Sequence, residues 1–151
     1  MTDPRAGERL PIQILHVEDE ALNRELLRAI LDRAPDDRLR SAQIDEASDL
    51  GSARSLMTSN PPDLVLLDVR LPDGSGLDFL REVRSQKPSP HVIVMSASVL
   101  AVERDEAIRA GCDAFLGKPY TRAELTSTLQ QVLFADPEDP ASGEGGPTAS
   151  S

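Results

Sequence analysis

A doubly wound α/β fold, with a five-stranded parallel sheet and helices on both faces, is what this sequence predicts. Two observations carry it. Five short apolar runs alternate with amphipathic helical patterns along 151 residues, and alternation with short connections produces parallel strands under a cover of helices. Aromatic residues make up 3% of the chain and Trp is absent, so the core must be aliphatic, as in strands rich in Val, Ile and Leu and buried on both faces. The length suits one domain large enough to bury a real core.

The elements follow in order. Ile12–Val17 is the first strand. A helix is predicted from Glu20 to about Ala34, where Leu22, Leu26, Leu27, Ile30 and Leu31 recur at helical spacing and predict one buried stripe. Gln43–Ala47 is weakly apolar, as an edge strand would be. Leu50–Met57 reads as a short helix. Leu64–Leu67 is four consecutive aliphatic residues, a strand buried on both faces. Pro72, Gly74 and Gly76 then turn the chain into a helix over Leu77–Val83, which ends before Pro88. His91–Met95 is the fourth strand. Val102–Ala110 forms a helix that stops at Gly111, a natural C-cap. Ala114–Leu116 is the fifth strand. Leu125, Leu129, Val132 and Leu133 line the last helix, with Thr121 and Glu124 spaced as a capping box.

The ends differ in composition. Residues 1–10 are polar with Pro and Gly and are expected to form a flexible arm. Residues 135–151 are almost wholly Pro, Gly, Ser, Ala and acid, and are expected to be disordered because they lack apolar surface to offset ordering entropy. The folded domain is thus expected over residues 11–134.

The net charge is −10, and four of those negatives, Asp136, Glu138, Asp139 and Glu144, lie in the tail; without them residues 1–134 carry −6. An acidic body disfavours nucleic acid as a direct ligand, since that binding relies on Lys and Arg neutralising phosphates, and it suits a cation site. The lone Cys112 allows no intramolecular disulfide. No signal-peptide core and no run of membrane-spanning length occurs. A cytoplasmic location is the expectation, with no membrane partner.

In open parallel sheets, sites form beyond the carboxyl ends of the strands. Strand one ends in Glu18-Asp19-Glu20, strand three in Asp68, strand four in Ser96-Ala97 and strand five in Gly117-Lys118-Pro119. Each has a bland explanation when taken alone: Asp19 as a helix cap, Ser96 as a polar strand end, Lys118 as a solvated loop residue. Together they place several carboxylates, a hydroxyl and an ammonium at one edge. Carboxylates about 4 Å apart repel by roughly 4 kcal/mol per pair at an effective dielectric near 20. A hard divalent cation removes that cost and leaves Asp68 as a nucleophile for phosphoryl transfer.

ILHVEDE, LVLLDVRLPDGSG, VIVMSAS and AFLGKP, in this order, resemble the four motifs of the receiver domain of two-component response regulators, over roughly Ile12 to Phe134. The resemblance implies a flavodoxin-like strand order of 2-1-3-4-5, with Asp68 as phosphoacceptor. It implies a magnesium ion, replaceable by manganese, held by Asp19, Asp68 and the Arg70 backbone carbonyl, with Glu18 acting through water. Ser96, with the small Ala97 beside it, and Lys118 would contact the phosphoryl group; Lys118–Pro119 would be cis, and Phe115 would be the aromatic switch. Arg70 and Ser98 stand at positions that tune dephosphorylation. Implied partners are a histidine kinase or histidine phosphotransfer protein, and a downstream protein target on the face of the fourth helix, fifth strand and fifth helix, with a homodimer also compatible.

Such a chain would be no enzyme beyond its own phosphorylation and dephosphorylation. A phosphatase of the haloacid-dehalogenase type would need a second acid where Arg70 stands. A nucleotide or flavin module would need a phosphate loop where EDEALN stands. The expected form is a single-domain regulator without DNA-binding output; a receiver segment of a hybrid kinase or multidomain regulator, or an unphosphorylated adaptor, is the alternative. His16 is expected to be a packed strand residue, His91 a surface one and Cys112 a passive thiol. Asn23 and Arg24 resemble residues of receivers in hybrid kinases and some stand-alone regulators, and a solvated helix face explains both.

Overall fold

The computed structural model describes residues 11–98 and 100–134; the expected arm and tail lie outside them. The sheet comprises β1 (Gln13–Val17), β2 (Gln43–Ala47), β3 (Leu64–Asp68), β6 (His91–Ser96) and β7 (Ala114–Gly117). All four pairings are parallel, in the order β2-β1-β3-β6-β7. Numbering those five strands consecutively gives 2-1-3-4-5, as the resemblance implied. Two further strands, β4 (Arg70–Leu71) and β5 (Gly74–Ser75), form a small antiparallel hairpin at the carboxyl edge; they are too short to leave a periodic signature.

The helices are α1 (Ala21–Asp32), α2 (Asp37–Arg40), α3 (Leu50–Ser59), α4 (Gly76–Arg84), α5 (Ala101–Ala110) and α6 (Arg122–Phe134). The single turn α2 was not expected; Asp36 caps it by accepting the Arg38 amide at 2.9 Å. The predicted capping box is present: Thr121 Oγ1 accepts the Glu124 amide at 3.0 Å, and Glu124 Oε1 accepts the Thr121 amide at 2.9 Å. Gly111 closes α5 with a left-handed φ of 103°.

Two aliphatic cores flank the sheet. One joins Leu15, Val17, Val65, Leu67 and Val94 to Phe79, Leu80 and Ala107. The other joins Ile14, Leu64, Leu66, Ile93 and Met95 to Leu27, Leu31, Leu125 and Leu129. Alternate side chains of β3 enter opposite cores, which is why that strand is aliphatic without a break.

The α1 stripe needs correction. Leu27 and Leu31 are buried, but Leu22 and Leu26 are 72% and 51% exposed. The sheet covers only one side of this helix, so helical spacing alone overstated its buried face. His16 is fully buried, as expected, and neither ring nitrogen has a hydrogen-bond partner among the described residues.

Candidate functional site

Backbone hydrogen bonds pin the strand ends that carry the site. The Glu18 amide donates to the Ala47 carbonyl at 2.9 Å, Val69 to Met95 at 3.2 Å and Lys118 to Ser96 at 2.8 Å. Asp68, the last residue of β3, is therefore held in register opposite Met95. Gly76 adds a constraint that reading it as a turn residue misses. A Cβ there would lie 2.1 Å from the Asp68 carbonyl oxygen, so α4 can start against the Asp68 backbone only because residue 76 has no side chain.

Three carboxylates converge at this edge. One oxygen each from Glu18, Asp19 and Asp68 lies within 4.8 Å of the others. Glu18 and Asp68 are buried and Asp19 is exposed. Lys118 bridges two of them, with Nζ 2.7 Å from Glu18 Oε1 and 3.2 Å from Asp68 Oδ2. The Glu20 amide reaches the other Glu18 oxygen at 3.2 Å. Asp19 does not cap α1; Glu20 holds the cap position, without a side-chain cap bond.

Burial pushes the Asp68 carboxyl above the usual carboxylate range; the Lys118 ammonium pulls it back, and Glu18 adds to the rise. Burial acts on Glu18 in the same direction, but hydrogen bonding and attraction from Lys118 outweigh it and hold Glu18 low. Burial alone would depress Lys118, yet its two carboxylate partners raise it. One ammonium against three carboxylates leaves an excess of negative charge with exclusively oxygen donors. That donor set fits a hard divalent cation of the magnesium type, which takes one or two carboxylates and keeps waters.

A cleft of about 320 Å³ opens over these groups, lined also by Asn23, Arg70, Ser96 and Ala97. A larger cleft of about 710 Å³ lies at the opposite end of the strands among Pro61, Pro62, Pro88 and Pro90. Among the described residues its lining holds one carboxylate, Asp63, against the three that meet in the smaller cleft. The Lys118–Pro119 peptide is cis, as expected; Lys87–Pro88 is also cis, which was not.

The remaining expected residues take definite places. Ser96 is buried at the end of β6, and Ala97 beside it is exposed. Phe115 is half-buried against the core that contains Val94. Arg70 is exposed on the hairpin, its amide 3.4 Å from Asp68 Oδ1. The Ser98 amide donates to Ser96 Oγ at 3.0 Å, while the Ser98 hydroxyl accepts the Leu100 amide at 3.1 Å; both groups shape the loop before α5. Arg24 is more than a solvated helix residue, since it donates to the Glu18 carbonyl at 2.8 Å. Sequence reasoning missed Glu103, whose carboxylate accepts the Ser96 hydroxyl. They stand seven positions apart, one at the end of a strand and the other in a helix, so no single period joins them.

Comparison with known proteins gives one consistent answer. The sequence model for the response regulator receiver domain matches residues 14–130. The KDP operon transcriptional regulatory protein KdpE of Escherichia coli is 37% identical over 120 residues, covering 80% of this chain and 50% of KdpE. The polar-differentiation response regulator DivK of Brucella anthropi is 29% identical, covering 82% of this chain and 98% of DivK. The chain spans about half the length of most of the curated relatives it matches. Among solved structures, the receiver domain of sensor histidine kinase PA1611 from Pseudomonas aeruginosa has a magnesium ion coordinated in its active-site cleft. It matches with a TM-score of 0.67 and 30% identity, over 82% of this chain and 98% of that one.

Proposed function

The chain belongs to the response regulator receiver domain family, and from that premise we propose that it accepts a phosphoryl group on Asp68 and signals by the resulting change of shape. The observation that carries this reading is Asp68 itself, a buried carboxylate at the end of a central strand. It has two further carboxylate oxygens within 4.8 Å and a single ammonium 3.2 Å away.

In the proposed step an Asp68 oxygen forms a bond to phosphorus. The bond from phosphorus to a histidine nitrogen of a kinase or phosphotransfer protein breaks, and its electron pair returns to the imidazole. Lys118 neutralises an oxygen of the incoming group, and the Ser96 hydroxyl donates to another. Asp19, Asp68 and the Arg70 carbonyl would hold magnesium or manganese, with Glu18 acting through water; when bound, the ion supplies the positive charge that lets carboxylates and phosphoryl oxygens sit together. Ala97 leaves room at the mouth of the cleft. Arg70 would set how long the acyl phosphate lasts, and Ser98 would shape the loop that limits water. The chain acts on no other substrate in this scheme.

Exposed apolar side chains on two helices support protein partners. Leu26 lines a cleft of about 250 Å³ shared with Lys118, Pro119 and Tyr120, and Leu22 is exposed one helical turn before it, which suits docking of the phosphodonor protein next to the site. Val102 and Ile108 are 58% and 54% exposed on α5. A downstream target or a second copy would read the α5–β7–α6 face when Ser96 and Phe115 shift, a two-state population change. Coverage of 98% of DivK favours action as a single domain. The half-length match to KdpE favours the second reading, a receiver within a larger regulator.

Intact-mass measurement after incubation with a small-molecule phosphodonor tests the proposal. Wild type should gain one phosphoryl group only when magnesium is present, and Asp68→Asn should gain none. Labelling that persists in Asp68→Asn, or no labelling of wild type under any condition, refutes it.

A further inference from the structure

The Ser96 hydroxyl is already engaged. It donates to Glu103 Oε1, in the first turn of α5, and accepts the Ser98 amide at 3.0 Å. The other Glu103 oxygen lies 3.7 Å from the Arg70 guanidinium. An acid in a first helical turn ordinarily complements the helix dipole and faces solvent. This one has a side chain 14% exposed and reaches instead to two separate strand ends, Ser96 of β6 and Arg70 of the hairpin.

A hydroxyl has one proton to donate. Ser96 therefore cannot donate to Glu103 and to a phosphoryl oxygen on Asp68 at the same time. Nor can Arg70 turn fully toward that group while it stays by Glu103. A Glu103 carboxylate left in place would also add a negative charge beside a newly formed acyl phosphate.

We propose that Glu103 is the intramolecular competitor of the phosphoryl group, holding Ser96 and Arg70 in the resting arrangement and opposing modification of Asp68. The inference rests on the phosphoacceptor reading above. On phosphorylation the Ser96 hydroxyl exchanges one acceptor for the other, and Glu103 is released. That release loosens the start of α5, so the contact links the site to the first turn of that helix, where Val102 is exposed. Glu103 is thus a positioning residue that acts through Ser96.

Beryllium trifluoride, a non-covalent mimic of the phosphoryl group, is the probe, titrated in the presence of magnesium. A hydrogen bond to a charged group contributes on the order of 1.5 kcal/mol, so Glu103→Ala should tighten binding about tenfold. Glu103→Gln keeps an acceptor and should tighten it by a smaller factor, which guards against misfolding of the alanine variant. In a Ser96→Ala background the gain from Glu103→Ala should shrink, because the contested hydroxyl is gone; a purely structural role at the start of α5 would give the same gain in both backgrounds. Unchanged affinity in both Glu103 variants, or an equal gain with and without Ser96, overturns the inference alone. Failure of wild type to bind the probe overturns the phosphoacceptor reading and this inference with it.

Discussion

Replacing Lys118 with Met removes one ammonium from between two buried carboxylates and keeps most of the side-chain volume. Nζ lies 2.7 Å from Glu18 and 3.2 Å from Asp68, and the Lys118 side chain is 17% exposed. At an effective dielectric near 20, each contact represents roughly 5–6 kcal/mol of Coulomb attraction, much of it offset by the desolvation of both partners. Breaking a buried pair from one side costs about 3–5 kcal/mol, because the other charge is left uncompensated. Total stability for a domain is of the order of 5–15 kcal/mol, so the loss is a large fraction of it. In a thermal scan it corresponds to a fall of roughly 10–20 °C.

The deficit should depend on pH, and the sign follows from the carboxyls. Burial raises Asp68 and opposes the ionisation of Glu18, and Lys118 counters both. Without the ammonium, both carboxyls titrate higher in the folded state than in the unfolded chain. The native variant then takes up protons first, so it regains stability relative to wild type as pH falls from neutral toward about 5. A divalent cation should recover part of the loss by the same charge compensation. Urea denaturation followed by circular dichroism, at several pH values with and without magnesium, measures this. A neutral-pH deficit below about 1 kcal/mol, or one identical at every pH, refutes the reasoning.

Two further predictions concern residues outside the ion pairs. Gly76→Ala puts a methyl group 2.1 Å from the Asp68 carbonyl oxygen, so the backbone must move; it should cost about 3 kcal/mol or more and abolish phosphoryl labelling. Gly117→Ala, whose Cβ meets nothing within 4 Å, should stay within about 0.5 kcal/mol of wild type, and equal costs at the two sites would contradict the steric argument. Burial holds His16 at about 4, partly offset by Glu18 and Glu46. Because the unfolded chain takes up that proton below about 6.5, wild type should lose up to roughly 3 kcal/mol between about pH 6.5 and pH 4. His16→Leu should remove that part of the acid sensitivity, and denaturation curves with unchanged pH dependence would contradict it.

Much of this was legible from residue order. Aliphatic runs mark strands whatever packs on them, since any strand between two helical layers needs apolar residues on both faces. The Thr121–Glu124 box and the Gly111 cap are local, so their spacing sufficed. The α1 stripe was misjudged at Leu22 and Leu26 because periodicity reports an apolar face and not the width of the surface that covers it. The hairpin Arg70–Ser75 and the turn Asp37–Arg40 were missed because each is too short for a period.

By itself, then, the sequence determined the order of the five sheet strands and the five longer helices, the two aliphatic cores and the identity of the groups at the strand ends. Parallel strands bring their carboxyl ends to one edge, so that grouping follows from chain order alone. Only the tertiary structure decided how those groups share one another. Lys118 sits closer to Glu18 than to Asp68, Gly76 gives its missing side chain to the Asp68 backbone, and Glu103 takes the Ser96 hydroxyl. Each depends on distances of a few ångströms between segments far apart in the chain or joined by an irregular loop, and neither spacing nor composition encodes those distances.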